Sequence, residues 1–153
     1  SNPALARAAV AALPALWRER SRPIVLGMLE HPNEDVAMAA LGALAELGVS
    51  DEHTPKHVAS VLDRTRRRTM RLAAVHTIAQ SRGEARAVSA ALVAERLRRC
   101  TNLQTGEDAE LALGLARGLF ALAPEEAEQI IDQTARTWPP ELRARAVKAD
   151  IAQ

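Results

Sequence analysis

Residues 33–48, NEDVAMAALGALAELG, place apolar side chains at Val36, Ala39, Ala40, Ala43, Leu44 and Leu47. Steps of three and four keep one stripe along a helix, because 3.6 residues complete a turn. Gly48 follows, where a helix commonly ends. The template recurs at Leu5, Ala8, Ala9, Ala12, Leu13 and Leu16. It returns at Met70, Ala73, Ala74, Thr77, Ile78 and Ser81, with Gly83 close behind, and at Leu111, Gly114, Leu115, Gly118, Leu119 and Leu122. A weaker copy from Leu142 keeps Ala146 and Ala149 but sets Arg145 and Asp150 on the stripe. The leading residues Leu5, Val36, Met70, Leu111 and Leu142 stand 31, 34, 41 and 31 positions apart.

Between these stripes the pattern predicts shorter amphipathic helices at 22–31 (Ile24, Met28), 55–64 (Val58, Val61, Leu62), 84–99 (Val88, Leu92) and 125–138 (Ala127, Ile131, Trp138). Pro23, Pro32, Pro55, Pro124 and the pair Pro139-Pro140 fall at the proposed boundaries, where proline is tolerated. Two antiparallel helices per period of 30–40 residues make a helical-hairpin solenoid, so the fold class is all-α. Gly114 and Gly118, four apart, predict a close helix–helix contact.

Within this pattern the segment PIVLGMLEHPNEDVAMAALGALAELG (residues 23–48) resembles a HEAT repeat of the short bacterial kind. A first helix ends in Leu-Glu, a Pro-Asn turn follows, and the second helix carries a Val-x3-Ala-x3-Leu stripe and a terminal Gly. TMRLAAVHTIAQSRG (69–83) is similar to the second-helix half, with Arg71 directly after Met70. The resemblance implies a right-handed α-α superhelix of about four HEAT-like repeats, a single domain over 1–153. It is specific for fold and nearly silent about function, since such repeats serve scaffolds, transport receptors, lyases and nucleic-acid enzymes.

Composition adds compartment and context. The apolar share is 48%, led by alanine and leucine, and the aromatics are Trp17, Phe120 and Trp138. A single cysteine, Cys100, excludes an internal disulfide and fits a reducing, cytoplasmic setting, while a bacterial one is what the resemblance implies. The longest apolar stretch, 111–123, is too short to span a bilayer and contains Arg117, so no membrane role is expected. The start Ser1-Asn2, without an initiator Met, reads as a tag remnant on a segment of a longer protein.

Net charge is +1, yet its distribution is uneven. Residues 1–63 carry −3, 64–99 carry +8, 100–135 carry −6, and the remainder +2. Most of the basic band is the cluster Arg64, Arg66, Arg67, Arg68 and Arg71, joined by Arg98 and Arg99. Helix N-termini favour acids because the macrodipole is positive there. Sibling helices obey at Glu34-Asp35, Glu107-Asp108 and Glu141, while the helix leading into Met70 begins among arginines. Three readings stay open: Arg64 and Arg66 cap the preceding helix with the others solvated, the arginines form a basic rim for an acidic partner, or they bind nucleic acid. The extra residues in the 41-residue spacing fall at 100–106, CTNLQTG, a loop expected beside the 64–68 turn and suited to specificity.

Catalytic chemistry finds little footing. His53 and His57 are separated by Pro55, and no Cys/His spacing suggests a metal, so neither metal nor cofactor is expected. Cys100 beside Arg98 and Arg99 is either an ordinary thiol or one activated by the cations. Trp17 and Trp138 fall on helix faces expected to be buried, which leaves no stacking platform for single-stranded nucleic acid. The expected function is therefore a non-enzymatic interaction scaffold that binds an acidic or elongated protein through its groove and arginine rim. The alternatives are a module gripping duplex backbone or a HEAT-like lyase or glycosylase. The acidic helix at 125–132 could also meet another copy's basic band.

Overall fold

In the computed structural model, which describes residues 2–103 and 105–151, the chain runs α1 (Pro3–Trp17), α2 (Arg22–Met28), α3 (Glu34–Leu47), α4 (His53–Arg64), α5 (Arg68–Ala79), α6 (Glu84–Arg98), α7 (Gly106–Leu122), α8 (Pro124–Thr134) and α9 (Pro140–Ile151). Short 3-10 turns occupy Arg18–Ser21 and Ala135–Thr137. No strand occurs among the described residues.

Local chemistry sets the helix starts. Asn33 Oδ1 accepts from the Asp35 N–H at 2.9 Å, and Glu34 and Asp35 bring negative charge to the positive end of α3. Thr105 and Asp108 form a reciprocal capping box on α7. Asn2 caps α1 by accepting from the Ala4 and Leu5 N–H groups. Gly48, at φ +85°, supplies the left-handed turn that ends α3.

Packing arranges the helices in two layers. The odd helices form one, with α1 on α3, α3 on α5, α5 on α7 and α7 on α9. Of the even helices, α4 packs on α6 and α6 on α8. Across the layers α2 pairs with α3, α4 with α5 and α6 with α7, while α8 and α9 both rest on α7. One continuous core runs between the layers, through Val25, Leu44, Val61, Ile78, Leu97 and Leu119. This is an all-α solenoid of stacked hairpins, as the periodicity predicts. Gly118 lets α7 approach α5 closely: a Cβ built there would lie 3.4 Å from Ala79 Cβ and 3.6 Å from Val75 Cγ1.

The anchors Val36, Met70 and Leu142 are buried, and Leu111 is half-buried. Leu5 is not: it is exposed, as are Ala8, Ala9, Ala12 and Leu16. The buried side of α1 is instead Val10 and Pro14, flanked by half-buried Ala6 and Leu13. The helix is apolar almost all round, with Arg7 its one charge, so the pattern fits two faces and contact with α3 selects the other one. Trp17, the last residue of α1, is exposed, against the expectation of burial, while Trp138 is buried as expected.

Smaller shifts occur in the even helices. α2 stops at Met28, three residues before the predicted end, and buries Val25 and Leu29 while Ile24 stays exposed. In α6 the buried residues are Ala85, Ser89, Ala90, Val93, Ala94 and Leu97, with Val88 and Leu92 at the boundary. α8 ends at Thr134 and tightens into a 3-10 turn before Trp138. Arg145 is exposed and not on the buried stripe. Ala149 and Asp150 lie outside the residues whose side chains are described, and so do Ser1 and Gln104.

Candidate functional site

The turn between α4 and α5 is built from residues that fasten it to the unit before. Thr65 Oγ1 donates to Glu34 Oε1 at 2.8 Å and accepts from the Arg67 N–H at 3.1 Å, so it braces the α5 start from both sides. Arg64 donates to Glu30 Oε2 at 2.6 Å and to the Leu29 carbonyl at 2.8 Å, a cation on the carbonyl end of α2. It therefore caps a helix, though the neighbouring one in the stack. Arg67 donates to Asp35 Oδ1 at 2.7 Å.

Arg68 reaches forward to α7, where Nε and Nη2 make a two-pronged pair with Glu110, each at 2.5 Å. Arg71 donates through Nε to the Thr65 carbonyl at 3.0 Å. Arg99 pairs with Glu95 one turn back at 2.5 Å. Arg66 and Arg98 are exposed and form no ion pair among the described residues.

Arg96, which the sequence places at the entry to the loop but outside the rim set, pairs with Asp63 through two bonds of 2.9 and 2.6 Å and also donates to the Leu92 carbonyl. Sequence reasoning overlooked Glu30, Asp35 and Glu110 as arginine partners. A signal for them was present. The pairs Glu30/Arg64, Asp35/Arg67 and Asp63/Arg96 are 34, 32 and 33 residues apart, one repeat each. Arg68/Glu110 is 42 apart, one repeat plus the inserted loop. Charges one period apart occupy equivalent places in adjacent units and meet along the rim. Solvent screens such pairs at the surface, so they set register more than stability.

Residues 100–103 share one concavity with Leu62 and Asp63 at the end of α4 and with Arg71 near the start of α5. This concavity is a notch of about 360 Å³, lined by Leu62, Arg71, Arg96, Arg99, Leu103 and Leu111, with Asp63 and Asp108 as its acids. Trp138 pins the loop: its indole N–H donates to the Cys100 carbonyl at 2.6 Å. Asn102 takes a φ of +52° to turn the chain. Burial pushes the Cys100 thiol up to about 11, Asp108 adding to the effect, and Sγ donates to the Arg96 carbonyl at 3.4 Å. The activated-thiol reading is thereby overturned, because desolvation outweighs the nearby guanidinium groups.

On the odd-helix layer a groove of about 370 Å³ runs between α5 and α7, bordered by Leu72, His76, Gly114 and Arg117. Among the described residues no three His, Cys, Asp or Glu side chains converge so as to hold a metal ion. No described helix is long and apolar enough to cross a membrane.

Stacked antiparallel hairpins with a shared core and a rim of turns define a helical-repeat protein, in which function resides on surfaces rather than in an enclosed cavity. The family model for HEAT repeats matches residues 1–79, half of the chain, and the chain belongs to that family. HEAT repeats are generally protein-interaction scaffolds, typically without enzymatic activity. No curated protein and no solved structure matches this chain.

Proposed function

We propose that this chain is a non-enzymatic interaction module that holds an acidic, extended segment of a protein partner along the rim between the 65–67 turn and the 100–106 loop. The observation that carries this reading is the notch itself: Arg71, Arg96 and Arg99 line one concavity, and Arg66 in the preceding turn and Arg98 at the end of α6 stand exposed without an intrachain carboxylate. In the notch Arg71 holds only the Thr65 carbonyl and has no carboxylate partner among the described residues, and Arg66 and Arg98 lie outside its lining as further unpaired cations. Leu103 and Leu111 offer an apolar floor for a neighbouring side chain. The paired arginines keep the rim in shape, and the groove between α5 and α7 extends the surface. A lone, unreactive thiol is compatible with work in a reducing bacterial cytoplasm.

Fluorescence anisotropy with a labelled glutamate-rich peptide tests this reading. Arg66→Glu with Arg98→Glu is expected to weaken binding by about tenfold or more at low salt, with helical content unchanged. Equal affinity for the variant and the wild type would remove the rim from consideration. Binding of duplex DNA in place of the peptide, falling steeply with salt, would move the reading to a phosphate-backbone grip.

A further inference from the structure

α1 carries an apolar face that nothing among the described residues covers. Leu5 is 67% exposed, Leu16 70% and Trp17 55%, and Ile24 of α2 is 42% exposed. Leu5, Ala8, Ala9, Ala12 and Leu16 follow the spacing of a buried helix stripe, yet all five point outward. With its opposite face on α3, α1 has the character of a helix in the middle of a stack. Large apolar side chains gathered on one face mark an interaction surface rather than scattered exposure. Arg18 and Arg20 follow that face in the turn after α1, and neither forms an ion pair among the described residues.

The other end of the solenoid has the opposite character. Val147 of α9, the only other large apolar side chain that exposed among the described residues, is 54% exposed. It borders a cavity of about 460 Å³ lined by Phe120 and Ile131, by the acids Glu125, Glu128 and Asp132, and by Arg136 and Arg143, the latter turned onto the Ala135, Arg136 and Trp138 carbonyls. Glu125 and Glu128 have no cation partner among the described residues, while Asp132 meets Arg136 at 3.4 Å.

We propose that a second copy of this chain stacks head to tail on the first, its α1–α2 end seated on the α8–α9 end of its neighbour. Trp17 or Leu16 enters the Phe120/Ile131 cavity, and Arg18 and Arg20 meet Glu125 and Glu128. Inside one chain, α1 on α3 and α7 on α9 already show this kind of helix-on-helix layer, so the stack continues across the boundary. Charge selects the occupant: pairing two α1 ends would bring Arg18 and Arg20 of both copies together. Such an interface is heterologous and builds an open row of copies. The basic rim is not used, since most of its arginines already hold carboxylates of their own chain.

Sedimentation of the full chain at low salt, up to about 1 mM, reads the outcome. The wild type is expected to rise past dimer mass with concentration, and Trp17 emission to shift to the blue as it is covered. Leu16→Glu with Trp17→Glu blocks one end, and Glu128→Arg with Val147→Arg the other; all four positions are exposed, so both variants keep the helical circular dichroism of the wild type. Each variant alone stays monomeric, and an equimolar mixture forms a dimer through its one intact pair of ends. A wild type that remains monomeric with unshifted Trp17 emission overturns the proposal. So does a Glu128→Arg/Val147→Arg variant that still dimerises, which would assign the α1 face to itself, or a mixture that stays monomeric.

Discussion

Cys100 takes its character from the loop that holds it. Arg98 and Arg99 beside it in sequence would favour a thiolate, but side chains adjacent in sequence need not point to one place. Arg99 turns back to Glu95, and Cys100 faces the protein interior, where burial lifts the thiol to about 11. At pH 8 the thiolate fraction is then about 0.1%, against about 10% for a thiol at 9.0. Labelling by a disulfide reagent at pH 8 should therefore run about a hundredfold slower than for the unfolded chain. Trp138→Phe, which removes the indole hydrogen bond to the Cys100 carbonyl, should loosen the loop and bring the rate up towards the unfolded value. Equal labelling rates in the native and unfolded chains would place the thiol in solvent. The arginines follow the same logic: their number was plain in the sequence, but their partners lie a repeat away, so composition alone reads as a free basic patch.

At the scale of one helix, period and identity carry different information. The 3.6-residue period located every odd helix, and proline placed most boundaries, because both are local properties of the chain. Which face is buried is decided by neighbours. α3 has a polar side, so its stripe admits one orientation, and Val36, Ala40, Ala43 and Leu44 are buried as the pattern requires. α1 has no polar side, and its orientation was not legible without α3. The glycines divide in the same way. Gly42 lies in α3 with open space around the position of a Cβ, whereas Gly118 sits against Ala79 and Val75 of α5. Gly42→Ala is expected to stabilise by about 0.5–1 kcal/mol through helix propensity alone. Gly118→Leu should destabilise by about 1–3 kcal/mol or more, because four added carbons must force α5 and α7 apart. Urea unfolding of the two variants checks the contrast, and a shift of the same sign in both would mean that α5 and α7 are not held in close contact.

Across the whole molecule, the units are fastened at both rims by groups whose protonation differs between folded and unfolded chains. On the rim opposite the notch, Arg22 is almost enclosed and donates to Glu19 and to the Gly48 carbonyl, with Asp51 at 3.8 Å. Arg86 similarly donates to the Leu122 and Ala121 carbonyls at the end of α7. The hydrogen bond from Arg22 holds Glu19 below its ordinary value of 4.5, and the bond from Arg67 holds Asp35 below 3.8. Burial alone would raise Asp51, but bonds from the Thr54 hydroxyl and N–H outweigh it, and its net direction is also downward from 3.8. In each case the unfolded chain takes up protons first as pH falls. The stability these carboxylates contribute is therefore complete above their unfolded values and lost as pH drops through the lower folded ones. Glu19 and Asp51 act mainly on local bonds to Arg22 and Thr54, whereas the Asp35–Arg67 pair joins adjacent units, so acid weakens both local turns and one coupling between units. Urea midpoints measured from pH 7 down to pH 3 should stay level until about pH 5 and then decline. Asp51→Asn, which keeps an oxygen for Thr54 but cannot titrate, should start lower at pH 7 and decline less on acidification. Parallel curves for Asp51→Asn and the wild type would show that Asp51 gains no proton-linked stability from Thr54 and Arg22.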